Sequence, residues 1–397
     1  MHIFTSITSN YIPKARVLAH SVKQYVPNAV FHLLLCDAPP QGFDLEQEEF
    51  DHLMLLDELD IDNEKAWIFQ HNVVELCTAI KGRGFQEIFR RYGPDKVIFF
   101  DPDMVLFSGL QAIDSQLDQH SVLLTPHQTE PAGTRSGILD NEVSSLKYGV
   151  FNLGFLAVRN SAEGMRFVNW WSDRLRDFCF DDRGRGLFTD QKWGDLAPAF
   201  FPDLGILRGP EFNVSTWNID SRDITGTLTG GVYVNKIPLC FYHFSGIDSG
   251  AQKLMLEVYG NNNPVLHQLR DWYVSRCSEM GQGLLGKLPC RYAFYDNGDE
   301  VRPAERLLYR YREELSERFP DPYACPSTGM GYQSWFQSNA GLIEGGRPDD
   351  DVVNVLRQEL DAIHHSITWR VFRGVSTTYR RLGMKLGVQR FLSWLSR

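Results

Sequence analysis

No stretch of this 397-residue chain approaches the roughly 18 consecutive apolar residues that a membrane-spanning helix needs. Cysteine is sparse and unpatterned. The seven residues Cys36, Cys77, Cys179, Cys240, Cys277, Cys290 and Cys325 include no Cys-x-x-Cys pair. An odd, scattered set in a long chain reads as reduced core thiols of a cytosolic protein. Positive charge is in deficit: 40 Lys and Arg face 50 Asp and Glu, a formal charge of −10, which disfavours a broad nucleic-acid-binding surface. The N-terminus lacks the basic start and long apolar stretch of a secretory signal, so a cytoplasmic location is expected. There is no internal repeat and no low-complexity tract. One absence is local: from Trp369 to the end there is no acidic residue, while Arg370, Arg373, Arg380, Arg381, Lys385, Arg390 and Arg397 are basic.

What is present is a globular enzyme's composition, 43% hydrophobic and 13% aromatic, which argues against disorder. The length predicts a core domain plus an appendage. Strand and helix alternate from the start. His2–Thr8 reads as a strand, Ile12–Tyr25 as a helix ending before Pro27, and Ala29–Cys36 and Leu53–Leu56 as strands. Helical segments Gln70–Ile80 and Gly84–Tyr92 are expected to break around Gly82 and Gly84. Lys96–Phe100 reads as a buried parallel strand. Ser121–Thr125 and Phe155–Val158 add strands, with a long irregular segment from Gln128 to Tyr148 between them, a length more often functional than idle. A helix over Phe167–Phe178 and strand character over Gly230–Phe244 follow, and the pattern turns helical after Gln252. Gly341–Asp351 reads as a linker. The order predicts an α/β fold with helices on both faces of the sheet. Three regions are expected: an α/β domain over 1–255, a helical extension over 256–345, and a linker with a basic helical tail over 346–397.

The strongest local signal is Asp101-Pro102-Asp103, directly after the apolar strand ending at Phe100. Strand ends in α/β sheets project side chains into the ligand crevice. Pro102 favours an extended turn in which both carboxylates converge on one hard cation. The bland alternative is a turn or cap after a strand. A second Asp-x-Asp, Asp60-Ile61-Asp62, sits in an acidic loop and reads as solvated.

Lys96-Val-Ile-Phe-Phe-Asp-Pro-Asp-Met-Val resembles the strand-plus-DxD element of GT-A glycosyltransferases, particularly glycosyltransferase family 8. Four further stretches resemble that family's motifs in order over about residues 1–250. They are Phe4–Tyr11 (first strand and base-binding loop), Phe151-Asn152-Leu153-Gly154-Phe155, Thr189-Asp190-Gln191, and Tyr242-His243-Phe244-Ser245-Gly246. The resemblance implies a GT-A (Rossmann-like) fold and retaining transfer of a hexose or related sugar. It implies Asp101, Asp103 and His243 as metal ligands, with Mn²⁺ suited to two carboxylates and an imidazole and Mg²⁺ also accommodated. It further implies Asp190 and Gln191 beside the reacting sugar, with Thr5, Thr8, Asn10, Tyr11, Lys81, Asp101, Asn152, Gly246 and Lys253 binding the donor. Arg83 competes with Lys81 for the basic position, and Asp190 capping a helix from Gln191 to Leu196 is the alternative to its catalytic role.

The chain departs from the pattern in two places. Thr8 and Ser9 stand where the family has an acidic residue, so a UDP-sugar is favoured but GDP- and dTDP-sugars are allowed. Ile247–Gln252 intervenes before Lys253, with no Pro-Trp after it. The implied acceptor is a glycan or lipid-linked glycan. The tail, mixing Trp369, Phe372, Leu386 and Trp394 with basic residues, reads either as an interfacial helix on the inner face of the cytoplasmic membrane or as an ordinary packed helix. Three rival readings stay open. One is an inverting enzyme using Asp140, Glu142 or Asp190 as base. Another is a nucleotidyltransferase, which the glycine-free Ser6–Tyr11, with Lys14 as its nearest cation, argues against. The third is an inactive glycan-binding module.

Overall fold

The computed structural model of the protein describes residues 1–260 and 262–345. The basic tail, and with it the membrane expectation for Trp369–Arg397, lies outside the described residues. Among the described residues no helix is long and apolar enough to cross a membrane.

A seven-stranded mixed sheet forms the centre. Its strands are β1 (His2–Ile7), β2 (Val30–Leu35), β3 (His52–Leu55), β4 (Lys96–Phe100), β6 (Val122–Pro126), β7 (Phe151–Arg159) and β8 (Leu204–Ile206), ordered β8-β6-β7-β4-β1-β2-β3. The short strand β5 (Met104–Leu106) leaves the sheet and pairs instead with β9 (Phe241–His243). All ladders in the central sheet are parallel except those of β7, which runs antiparallel to both β4 and β6. The central strands read as continuous apolar runs because helices cover both faces.

Alternate residues of those runs enter two different cores, as the period of two requires. Phe4, Leu34, Val97, Phe99, Leu156 and Val158 face one side. There they meet α3 (Lys81–Tyr92) and α4 (Ala162–Phe178) through Phe85, Ile88, Phe167 and Trp171. Ile3, Phe31, Leu33, Ile98, Phe100 and Phe155 face the other side against α1 (Ile12–Tyr25). Each fully buried side chain of this size contributes about 1.5–3 kcal/mol. Truncating Phe99, which is 0% exposed, to alanine would cost about 3–5 kcal/mol. The start of α1 follows from Pro13 in its first turn, and its apolar positions Ala15, Leu18, Ala19 and Val22 all turn inward.

Several expectations need correction. The helix break falls at Ile80, between α2 (Val73–Ala79) and α3, and not at the glycines. Gly82 lies inside α3 because α4 crosses there at backbone contact: a Cβ on it would sit 2.6 Å from Ser172 Cα. The segment 128–148 is largely helical, with turns at Arg135–Gly137 and Ile138–Glu142 running into a helix over Val143–Tyr148. Residues 341–345 belong to a helix, Tyr332–Gly345, where a linker was expected. A short helix at Glu64–Phe69 was not foreseen. Contacts gather Met1–Gly346 into one compact unit. The reason is shared burial. Phe69 is ringed by Tyr295, Tyr309, Tyr323 and Tyr332 at centroid distances of 6.0, 5.1, 5.0 and 5.3 Å, so the later helices complete the same core as the sheet. All seven cysteines are free, and Asp60 and Asp62 are exposed.

Candidate active site

The site begins where β4 ends. The Asp101 amide donates to Gly154 O of the antiparallel neighbour at 2.7 Å, and the Met104 amide donates to Asp101 O at 3.0 Å, closing a turn around Pro102. Gly154 is glycine for a local reason: a Cβ would lie 2.6 Å from Asp101 Oδ2 and 2.9 Å from Asn152 Oδ1, displacing both side chains. After the turn, β5 zips antiparallel onto β9 with Met104 opposite His243, and the Phe244 amide donates to Asp103 O at 2.8 Å. This pairing brings a residue some 140 positions downstream onto the aspartates.

The geometry that results is tight. His243 Nε2 lies 3.1 Å from Asp103 Oδ1, and one ligand atom from each of Asp101, Asp103 and His243 falls within 4.8 Å of the others. His243 Nδ1 is 3.2 Å from Asn152 Oδ1, an acceptor that assigns the proton to Nδ1 and leaves Nε2 for a cation. Burial pushes the Asp103 carboxyl up, but His243 outweighs it and holds the group below the usual range. Burial likewise lowers His243, and the Asp103 charge outweighs that to raise it. Burial raises Asp101, against the opposing charges of Lys81 and His243. A field that favours a proton on His243 favours a divalent cation in its place. Two carboxylate oxygens and one imidazole nitrogen open to a cleft fit such an ion.

Lys81 is the second centre. Its ammonium, 3% exposed, donates to Asp190 Oδ2 at 2.8 Å, Asp101 Oδ1 at 3.1 Å and Leu153 O at 3.1 Å. Burial would lower its pKa, but Asp101 and Asp190 hold it well above the ordinary lysine value. Arg83, its sequence competitor, lies on α3 without being among the cleft-lining residues. Asp190 does not cap the following short helix: it makes no side-chain capping bond, and its carboxylate goes to Lys81 and to the Thr189 hydroxyl at 3.1 Å.

These groups open onto a cleft of about 670 Å³ whose lining includes Asn72, Tyr148, Phe188, Gln191 and Trp217. Gln191 donates through Nε2 to Tyr148 O at 3.0 Å and accepts from Asn152 Nδ2 at 3.4 Å. Asn152, expected on donor-sugar hydroxyls, thus commits its amide to Gln191 and His243. Asp140 and Glu142 do not line this cleft. Asp140 accepts from the Tyr259 hydroxyl at 2.7 Å and Glu142 from the Ala132 amide at 2.7 Å.

The expected donor-binding residues divide. The parallel register of β1 on β4, with Phe4 beside Phe99, sets the turn after β1 next to Asp101. There the Thr8 hydroxyl donates to Asn10 Oδ1 at 2.6 Å, and the Tyr11 hydroxyl donates to Asp248 Oδ2 at 2.8 Å. Gly246 takes φ +80° just after β9, a conformation that glycine tolerates without strain. Thr5 is 0% exposed within β1. Lys253 is exposed on a helix over Ala251–Tyr259 (α5) and is not among the cleft-lining residues. Several residues of the cleft were not foreseen, His127 and Trp217 among them. His127 Nε2 is 3.3 Å from Asn152 Nδ2, and burial brings the His127 pKa down to about 4. Trp217 stands edge-on to both His127 and His243, at 5.4 and 5.2 Å. Lys14, noted only as the nearest cation, is buried and ion-paired with Asp248, and it too is not among the cleft-lining residues.

No protein-family model matches the chain. An uncharacterized protein of Bacillus subtilis (strain 168), YfnD, is similar at 24% identity over 260 residues, covering 64% of this chain and 79% of that one. YfnF of the same strain is 25% identical over 178 residues, 44% of this chain and 58% of its own length. Among solved structures, galactosyltransferase LgtC in complex with donor and acceptor sugar analogs is similar at 16% identity and a TM-score of 0.43. That likeness covers 73% of this chain and 98% of that one. The glycosyltransferase GlyE of Streptococcus pneumoniae TIGR4 is similar at 15% identity and a TM-score of 0.39, covering 74% and 66%.

Proposed function

We propose that this chain is a GT-A glycosyltransferase of the family 8 type, moving a sugar from a nucleoside-diphosphate donor to a glycan or lipid-linked glycan acceptor with retention of configuration. The observation that carries the reading is the convergence of Asp101, Asp103 and His243 beside the buried Lys81–Asp190 pair at one cleft. Asp101, Asp103 and His243 would hold Mn²⁺ or Mg²⁺, whose charge would neutralise the departing diphosphate.

In this reading the bond from the anomeric carbon to the diphosphate oxygen breaks, and the electron pair leaves with the nucleoside diphosphate. The acceptor oxygen bonds to the same face, and its proton passes to the departing phosphate oxygen. Gln191 is well suited to flank the positive charge that develops on the sugar, because Tyr148 O and Asn152 already fix its amide and no reorientation is needed. Lys81 keeps Asp190 and Asp101 anchored so that both carboxylates hold their positions as charge moves. Such an enzyme would work in the cytoplasm or at its membrane face.

The test is incubation of the purified protein with UDP-, GDP- and dTDP-sugars and Mn²⁺. Metal-stimulated donor hydrolysis is expected, abolished by chelation, with proton NMR of the transferred product showing the donor's anomeric configuration. Pyrophosphate release from a nucleoside triphosphate and a sugar phosphate, without donor hydrolysis, would assign a nucleotidyltransferase instead.

A further inference from the structure

A diphosphate held at this cleft needs a cation whose charge can be turned toward it. Lys81 is already balanced by two carboxylates. Lys14, on α1, is balanced by one, and that one is differently placed. Lys14 is 4% exposed, whereas its partner Asp248 is 52% exposed, on the loop that follows His243. The Lys14 ammonium also lies over the Tyr11 ring at 4.0 Å, and the Tyr11 hydroxyl donates to the same Asp248 oxygen. Lys14, Tyr11 and Asp248 therefore form one cluster, tied to the metal-ligand group through the short stretch from His243 to Asp248 and through α1, whose Ser21 hydroxyl accepts from the Leu106 amide of β5.

We propose that Lys14 is the cation that takes the donor's diphosphate, exchanging the Asp248 carboxylate for it. The inference rests on the glycosyltransferase reading and deepens it. The exchange is inexpensive on both sides. Lys14 passes from one anion to another without being left buried and uncompensated, and Asp248 returns to water from a position already half in it. Tyr11, shared between the lysine and the carboxylate, keeps the ammonium aimed while the anion changes. Lys253, exposed on α5, has no part in this.

The experiment is isothermal titration of UDP, GDP and dTDP, and of the matching nucleosides, into the full chain with Mn²⁺. Lys14→Gln is expected to weaken the bound nucleoside diphosphate about ten- to a hundredfold while leaving the nucleoside unchanged. Lys287→Gln, which removes an exposed charge elsewhere, serves as the control and leaves both unchanged. Asp248→Asn, which removes the competing anion, is expected to bind the diphosphate at least as tightly as the parent. Equal affinity for Lys14→Gln, or a loss in Lys253→Gln instead, would overturn the proposal while the wider reading stands. Were Lys14→Gln to unfold, weaker binding by Asp248→Asn would overturn it alone. If the parent chain binds none of the three diphosphates with or without Mn²⁺, the glycosyltransferase reading itself fails, and this proposal with it.

Discussion

Replacing Lys81 with methionine isolates the electrostatic centre of the cleft. The substitution keeps an unbranched stem of similar length but removes an ammonium 2.8 Å from Asp190 and 3.1 Å from Asp101. The two stranded carboxylates are not equal. The Asp101 side chain is 28% exposed and can recover water, so its share of the loss is largely screened. The Asp190 side chain is 4% exposed and would keep only the Thr189 hydroxyl. Removing one partner of such a pair costs about 3–5 kcal/mol, and Asp190 sets most of it. The second change, Asp190→Leu, then tests the assignment. The double variant Lys81→Met/Asp190→Leu should be more stable than Lys81→Met alone, with a coupling of about 2–3 kcal/mol. Guanidinium unfolding followed by tryptophan fluorescence, in EDTA so that no cation takes the place of the ammonium, reads both numbers. Arg83→Gln, two positions away on the same helix, should change stability by no more than about 0.5 kcal/mol. A loss below about 1 kcal/mol in Lys81→Met, or strict additivity in the double variant, would refute the picture of a buried, mutually dependent pair.

Acid should destabilise the protein through buried neutral histidines. Burial depresses both His32 and His71 to about 3. The unfolded chain therefore takes up protons near pH 6.5 that the folded chain refuses. The stability these two groups contribute is present above the unfolded value and is lost as pH falls from about 6.5 toward 3. The slope should reach about 3 kcal/mol per pH unit for the two together, from about 1.4 kcal/mol per unit each; an unfolding midpoint independent of pH between 6.5 and 4 would contradict this. Gly82→Ala should destabilise by about 1–3 kcal/mol despite alanine's better helix propensity, because its Cβ would meet Ser172 Cα at 2.6 Å and backbone cannot step aside. A melting temperature equal to or above the parent's would show that α3 and α4 have room to part.

How much of this was legible in the sequence depended on whether the information was local. Helix α1 begins and ends where the sequence places it, at Ile12 and Tyr25, because Pro13 and Pro27 mark both ends and the apolar spacing between them is regular. Strand β4 was equally plain from four apolar residues in a row after Lys96. Gly82 misled because propensity treats glycine as a helix breaker, while its reason here is a neighbouring helix that is remote in sequence. The segment 128–148 misled in the opposite sense, since its polar and glycine residues hid a helical path. In the cleft, Asp101 and Asp103 stood out by following a buried strand. His127 and Trp217 could not, since each is a single residue in a segment without period. What unites them with His243 is ring packing at 5.2–5.4 Å, which no spacing encodes.

The pairing of β5 with β9 bears most directly on mechanism, because it fixes which carboxylates are spoken for. An inverting transferase needs a carboxylate able to take the acceptor's proton. Asp190, buried 2.8 Å from the Lys81 ammonium, already has its charge balanced by that ion pair. Asp101 and Asp103 face His243, Asp140 supports Tyr259, and Glu142 supports the Ala132 amide. The other carboxylates lining the cleft, Glu75 and Asp181, pair with Arg310 and Arg183, so the cleft spends its carboxylates on holding cations and on structure. What it leaves at the reacting end is an amide, Gln191, in a hydrogen-bonded file that runs through Asn152 and His243 to Asp103. An amide can flank a developing positive charge but cannot accept a proton near neutral pH. On the proposed reading, the leaving phosphate oxygen would then serve as the base, in keeping with the proposed attack from the face the diphosphate leaves.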